Sequence, residues 1–106
     1  MLKRLKRRYL AVQIDSAEKF SQKEFMDAVW GSLSKLYGEY GASRSGLAPI
    51  SYNEQRGLAV LRALHDEVQN VRAAVAAVTK INGKPTALHV EAVSGTIKSL
   101  RNITEH

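Results

Sequence analysis

Residues 21–43 read SQKEFMDAVWGSLSKLYGEYGAS, and the rest of the chain takes its place from how this stretch is read. Ser21 followed three residues later by Glu24 has the form of a capping box, and helical spacing then runs from Lys23 to Tyr37. Phe25, Val29, Leu33 and Leu36 recur at steps of four, four and three, which puts them on one helix face. Met26, Trp30, Leu33 and Tyr37 form an adjoining stripe. The first stripe suits a core. Together the two stripes are wider than one small sheet needs, so Met26, Trp30, Tyr37 and the nearby Tyr40 are candidate protein-interface residues, with core packing as the competing reading for Trp30 and Tyr37. Gly38 is placed to end the helix, because a left-handed cap costs glycine nothing. Residues 39–46 then read as a small-residue loop carrying one cation, Arg44.

Working outward, Tyr9–Ile14 alternates Leu10, Val12 and Ile14 against Tyr9, Ala11 and Gln13, the pattern of a half-buried strand. After the loop, Leu47–Asn53 reads as a strand, and Pro49 makes it an edge strand because proline cannot donate to a ladder. Residues 53–57, NEQRG, supply the turn to a returning strand, Leu58–Leu64. That strand sets Ala59, Leu61 and Ala63 against Leu58, Val60 and Arg62. Asp66 then takes the place of an N-cap. Val68, Val71, Val75 and Val78 repeat at helical spacing among alanines, and this slim helix is expected to end at Asn82-Gly83. Lys84–Val93 is a further strand with Leu88, Val90 and Ala92 on one face. Ser94-Gly95-Thr96 opens a short last helix through Ile97, Leu100 and Ile103, with Lys98 and Arg101 on its polar side.

The order is βαββαβ plus a C-terminal helix. That is the α/β (α+β) class, a ferredoxin-like, RRM-like four-stranded antiparallel sheet with two helices on one face. The other face stays open unless the last helix or a partner covers it. RNA-recognition motifs stack bases on aromatics of the third strand. Leu58–Leu64 has none, so base stacking there is not expected.

The chain has 106 residues, enough for one modest core. Apolar residues make up 44% and charged residues 25%, ordinary values for a globular domain. No run is long enough to span a membrane, and the apolar stretch after the basic start is too short for a signal peptide. With no cysteine there are no disulfides or thiolate metal sites, which fits a reducing, cytoplasmic setting. The net charge is +6, and Lys3, Arg4, Lys6, Arg7 and Arg8 carry nearly all of it. Residues 1–8 are therefore read as a basic arm and 9–106 as one domain. Such an arm attracts polyphosphate; Arg44, Lys98 and Arg101 are weaker RNA-binding candidates on the folded body.

Catalytic signals are weak. His65, His89 and His106 form no metal-ligand pair, and Glu39 and Asp66 are isolated. The spacing of Gly38, Gly41 and Gly46 matches no phosphate loop. Ser94-Gly95-Thr96 at a helix start is more simply a cap than an anion site. No catalytic residue and no bound metal are assigned to this chain.

Four segments carry a family resemblance: residues 6–11 (KRRYLA), 36–43 (LYGEYGAS), 78–84 (VTKINGK) and 93–100 (VSGTIKSL). In order and across nearly the whole chain, they resemble the archaeal ribonuclease P protein component 2 family, the small subunit shared with the eukaryotic enzyme. LYGEYGAS and VSGTIKSL are the specific matches. The first five residues and the tail after Asn102 match nothing. The resemblance implies a non-catalytic, RNA-binding subunit of ribonuclease P, which removes the 5′ leader from precursor tRNA. The large RNA is the catalyst in that enzyme and uses Mg²⁺, so the cofactor belongs to the RNA. The resemblance also implies a partnership with ribonuclease P protein component 3 and other protein subunits, with a homodimer of this chain at the centre of a heterotetramer. The alternative of another class is a small regulatory or metabolic ferredoxin-like domain that binds a ligand.

Overall fold

The computed structural model describes residues 6–104, with side chains through residue 100. Lys3, Arg4 and the side chain of Arg101 lie outside the described residues. The elements are β1 (Arg7–Asp15), α1 (Gln22–Arg44), β2 (Ala48–Asn53), β3 (Leu58–Leu64), α2 (Val68–Ala77), β4 (Lys80–Ile81), β5 (Lys84–Pro85), β6 (Ala87–Ser94) and α3 (Ile97–Thr104). The main sheet has the order β2-β3-β1-β6, and every pairing in it is antiparallel. This is the ferredoxin-like arrangement expected from the sequence. Pro49 lies on an edge strand, as expected.

Alternation along the strands builds the core. Leu10 and Val12 of β1, Ala59, Leu61 and Ala63 of β3, and Leu88 of β6 are buried against Phe25, Val29 and Leu33 of α1 and Val71, Ala74 and Val75 of α2. The alanines of α2 let it approach α1 closely, and Ser32 Oγ donates to the carbonyl of Ala74 at 2.7 Å. The capping box is formed: Ser21 Oγ accepts from the Glu24 amide at 3.2 Å, and Glu24 accepts from the Ser21 amide at 2.9 Å. Phe25 stacks obliquely on Tyr52, centroids 5.6 Å apart, and the Tyr52 hydroxyl donates to the carbonyl of Phe20.

Several expectations are corrected. The first strand begins at Arg7, so Arg7 and Arg8 belong to the sheet and not to a free arm. Gly38 does break the helix, but helix resumes to Arg44 where a loop was expected. At φ 76° and ψ 169°, Gly38 occupies a region open essentially to glycine alone. Beyond it, Ala42 is buried and Ser45 Oγ donates to the Ala42 carbonyl at 2.6 Å, so the resumed turn is anchored.

Leu36 is 48% exposed and not core. It stands where α2 has already ended, lining a gap with Ala77 and Val78. Met26, expected at an interface, is buried in the core, because β4 packs against α1 and adds Ile81 to the same cluster. Asp66 is no N-cap: His65–Glu67 form a 3₁₀ turn and α2 starts without a side-chain cap. Asn82-Gly83 does not end the helix, which stops at Ala77. Both residues have positive φ, 52° and 76°, as the two-residue turn of the β4–β5 hairpin requires. In β6 the register against β1 slips between Ala92 and Val90, leaving Glu91 as an extra residue. The bulge turns Val93, not Ala92, toward the core.

The opposite sheet face is half covered. α3 packs on β6 and β1, and Leu100 and Ala11 are both fully buried there. Thr96 Oγ1 accepts from the Ser99 amide at 3.1 Å, capping α3. On β3 the same face leaves Leu58 and Val60 half-buried.

Candidate nucleic-acid interface

Four segments meet at the end of the sheet where β1 begins and β3 ends. The ladder between them continues past the last paired residues: the His65 amide donates to the Lys6 carbonyl at 2.8 Å, which fixes the backbone of Lys6. On the other side the Leu64 amide donates to the Ser45 carbonyl at 2.9 Å, tying the end of α1 to β3. Gly46 makes this approach possible. Its φ is +68°, and a Cβ there would lie 2.7 Å from Leu64 Cγ. Ser45 is buried, and its Oγ accepts from the Leu47 amide at 3.2 Å, which holds the turn.

The result is a groove of about 930 Å³. Lys6, Arg7, Arg44 and Arg62 line it, facing only two acids, Asp66 and Glu67. Among the described residues the ion pairs are Lys23–Asp27 and Lys84–Glu18, so no cation of the groove is neutralised by an acid. Arg44 rests over the ring of Tyr40 at 5.5 Å, a cation–π contact that holds the guanidinium at the rim.

The candidates from the sequence are therefore divided. Lys6, Arg7 and Arg44 come together. Arg8 points to the other side of β1, where its Nε donates to His65 Nδ1 at 2.9 Å and its Nη1 occupies the space a Cβ on Gly95 would need. Lys98 is exposed on α3, outside the groove. Trp30 is half-buried against the core, while Tyr37 and Tyr40 are exposed at 38% and 75%. Arg62 was missed as a binding candidate. Its signal was present: a guanidinium opposite the core side of an otherwise apolar strand, in register with Tyr9 on one side and Ala48 on the other. Its Nε is buried without a hydrogen-bond partner. Among the described residues no three His, Asp or Glu side chains gather as metal ligands.

The groove can grip anions through charge and directed N–H groups, and Arg forks suit phosphate in particular. The pattern of the Rpp14/Pop5 family matches residues 8–104. Ribonuclease P protein component 2 of Methanosarcina mazei is 37% identical over 95 residues, covering 90% of this chain and 80% of that protein. The protein of the same name from Pyrococcus furiosus is 31% identical over 96 residues, covering 91% and 80%. A chain in the cryo-EM structure of yeast ribonuclease MRP superposes with a TM-score of 0.74 at 14% identity, covering 99% of this chain and 93% of its own, a likeness of fold.

Proposed function

The chain belongs to the Rpp14/Pop5 family, and from that premise we propose that it is a protein component of ribonuclease P, binding the RNA of the enzyme without catalysing cleavage. The observation that carries this is the family match over nearly the whole length of the chain. The charge distribution supports it. Lys6, Arg7, Arg44 and Arg62 gather four cations at one end of the sheet, and the sequence places Lys3 and Arg4 just before Lys6. Such contacts position a protein on RNA without reading bases. Lys98 on α3 is a further exposed cation, and Arg8 reaches Gly95 just before that helix. Precursor tRNA cleavage with Mg²⁺ is the work of the RNA in this reading, and the protein stabilises the fold that holds the metal.

Partners follow the same premise. Component 3 is the proposed companion, in a heterotetramer built about a dimer of this chain. Among the described residues, Leu36, Tyr37 and Tyr40 are the exposed large hydrophobics and the proposed contact, with Trp30 at its buried margin. Interfaces favour such aromatics. Met26 now belongs to the core and is withdrawn from that surface.

Reconstitution tests the reading. The catalytic RNA, component 3 and this chain are combined, and precursor tRNA cleavage is followed against Mg²⁺. The chain should lower the Mg²⁺ requirement and should cleave nothing without the RNA. An unchanged requirement with and without the chain would refute the proposal, and so would RNA-free cleavage lost on changing one of its acids.

A further inference from the structure

A buried N–H without an acceptor is uncommon and costly in a native structure. Arg62 Nε is such a group, and Arg62 lines the groove. Three more cations line the same space, and none pairs with Asp66 or Glu67. The turn through Gly46 holds the opposite wall near β3, so the groove is preformed. We propose that it seats one phosphate of an RNA strand, with Arg62 as the innermost donor and Arg7 and Arg44 closing on the same group or its neighbour. The identity of the strand rests on the ribonuclease P reading; the phosphate seat itself does not.

Three points favour phosphate. A guanidinium presents two parallel N–H groups to tetrahedral oxygens, and supplying an acceptor to Nε satisfies the orphan donor. Lys6 lines the groove together with Arg7, so a neighbouring phosphate of the same strand meets a further cation. Asp66 and Glu67 stand beyond the end of β3, and the Glu67 carboxylate is already occupied by Asn70 Nδ2 at 2.9 Å. They confine an anion to the Arg62 side. The other occupant to exclude is an acidic segment of a partner protein.

The test uses the full chain with a short oligouridylate and, separately, a polyglutamate peptide. The ¹H–¹⁵N signal of Arg62 Nε is identified by its loss in Arg62→Gln. Oligouridylate should move it, and polyglutamate at equal charge should not. Arg62→Gln and Arg44→Gln should each weaken oligouridylate binding and make the log–log salt dependence shallower by about 0.7, the loss of one phosphate contact on a single strand. Arg72→Gln, exposed on α2 outside the groove, should leave both unchanged. Equal weakening by all three variants would mean a diffuse field and overturn the seat. A signal that answers polyglutamate and not oligouridylate would assign the groove to a protein partner and overturn it too. If Arg62→Gln does not fold, wild type and Arg62→Lys carry the test: lysine lacks the fork and should bind more weakly with nearly the same salt slope. A chain that binds oligouridylate as described but fails in reconstitution keeps the seat and loses the ribonuclease P reading. Support of cleavage by groove variants at wild-type Mg²⁺ does the reverse.

Discussion

Two glycines on α1 allow the strain of the helix break to be measured. Gly31 lies in regular helix and Gly38 at φ 76°, ψ 169°, and a Cβ added at either position meets nothing within 4 Å. Gly→Ala at both positions removes the same freedom from the unfolded chain, worth about 0.4–1 kcal/mol in favour of folding. At Gly31 that gain stands alone or is increased by helix propensity. At Gly38 it is set against a backbone region closed to alanine, costing about 1–3 kcal/mol. The two variants should differ by that backbone cost, with Gly31→Ala above wild type and Gly38→Ala below it. At roughly 4–8 °C per kcal/mol for a small domain, the melting temperatures should separate by about 5–20 °C. Urea titration with equal slopes for the variants would show that the native state is the one compared. Straightening the helix through residue 38 would relieve the strain, but it would withdraw Ala42 from the core and break the hydrogen bonds of Ser45 to Ala42, Leu47 and Leu64. Equal stabilisation by the two substitutions would refute the reasoning, because the break would then be soft and not imposed by the segment beyond it.

Other expectations follow from single contacts. Burial, with Glu54 and Glu24 nearby, pushes the Tyr52 hydroxyl above its ordinary value; its stabilising effect is complete below the unfolded tyrosine value of about 10 and is lost as pH rises past it, so Tyr52→Phe should flatten the alkaline limb of a stability–pH curve. The Ser21 amide, and after it the Ser21 hydroxyl, Asn82 and Lys84, hold the Glu24 carboxyl below its ordinary value; that contribution is present above the unfolded value and lost as pH falls through the folded one, so Glu24→Gln should flatten the acid limb. Ser21→Ala should cost about 1 kcal/mol in urea titration, the usual loss of an N-cap. Tyr40→Ala should leave the melting temperature within a few degrees while weakening component 3 binding or self-association, and Trp30→Ala should lower the melting temperature outright; Tyr40→Ala with wild-type assembly would remove that surface from the proposed interface.

The main sheet was legible because its strands alternate cleanly and turn residues separate them. Tyr9–Ile14 sets Leu10, Val12 and Ile14 against Tyr9, Ala11 and Gln13 at a period of two, and Leu58–Leu64 is a short apolar run whose one charged residue, Arg62, marks the side away from the core. What failed shares one cause: the deciding partner is remote in sequence. Nothing near Met26 announces the β4–β5 hairpin that buries it. The slip at Glu91 depends on the register with β1 and reverses the expected facing of Ala92 and Val93. Asn82-Gly83 is a hairpin signal in its own right, but a run of alanines before it reads as helix until Val78 is seen extended. In the groove, the cations near the chain start were visible as a run. Their sorting was not, because alternation along β1 sends Arg7 and Arg8 to opposite faces only once the strand is known to begin at Arg7. Arg62 was visible as an oddity, and only the meeting of β3 with the end of α1 gives it a place.

The strand order has a consequence for how the protein is made. β1 is first in the chain yet central in the sheet, between β3 and β6. During synthesis it can pair with β3 once residue 64 has emerged, but its other edge stays unpaired until residues 87–94 follow. For that interval the nascent chain carries an open edge on a central strand of its sheet, the kind of surface that recruits other strands. All four groove cations lie within residues 6–62 and are in place before that edge closes. The anion-gripping end of the molecule is thus assembled ahead of the strand that completes its sheet.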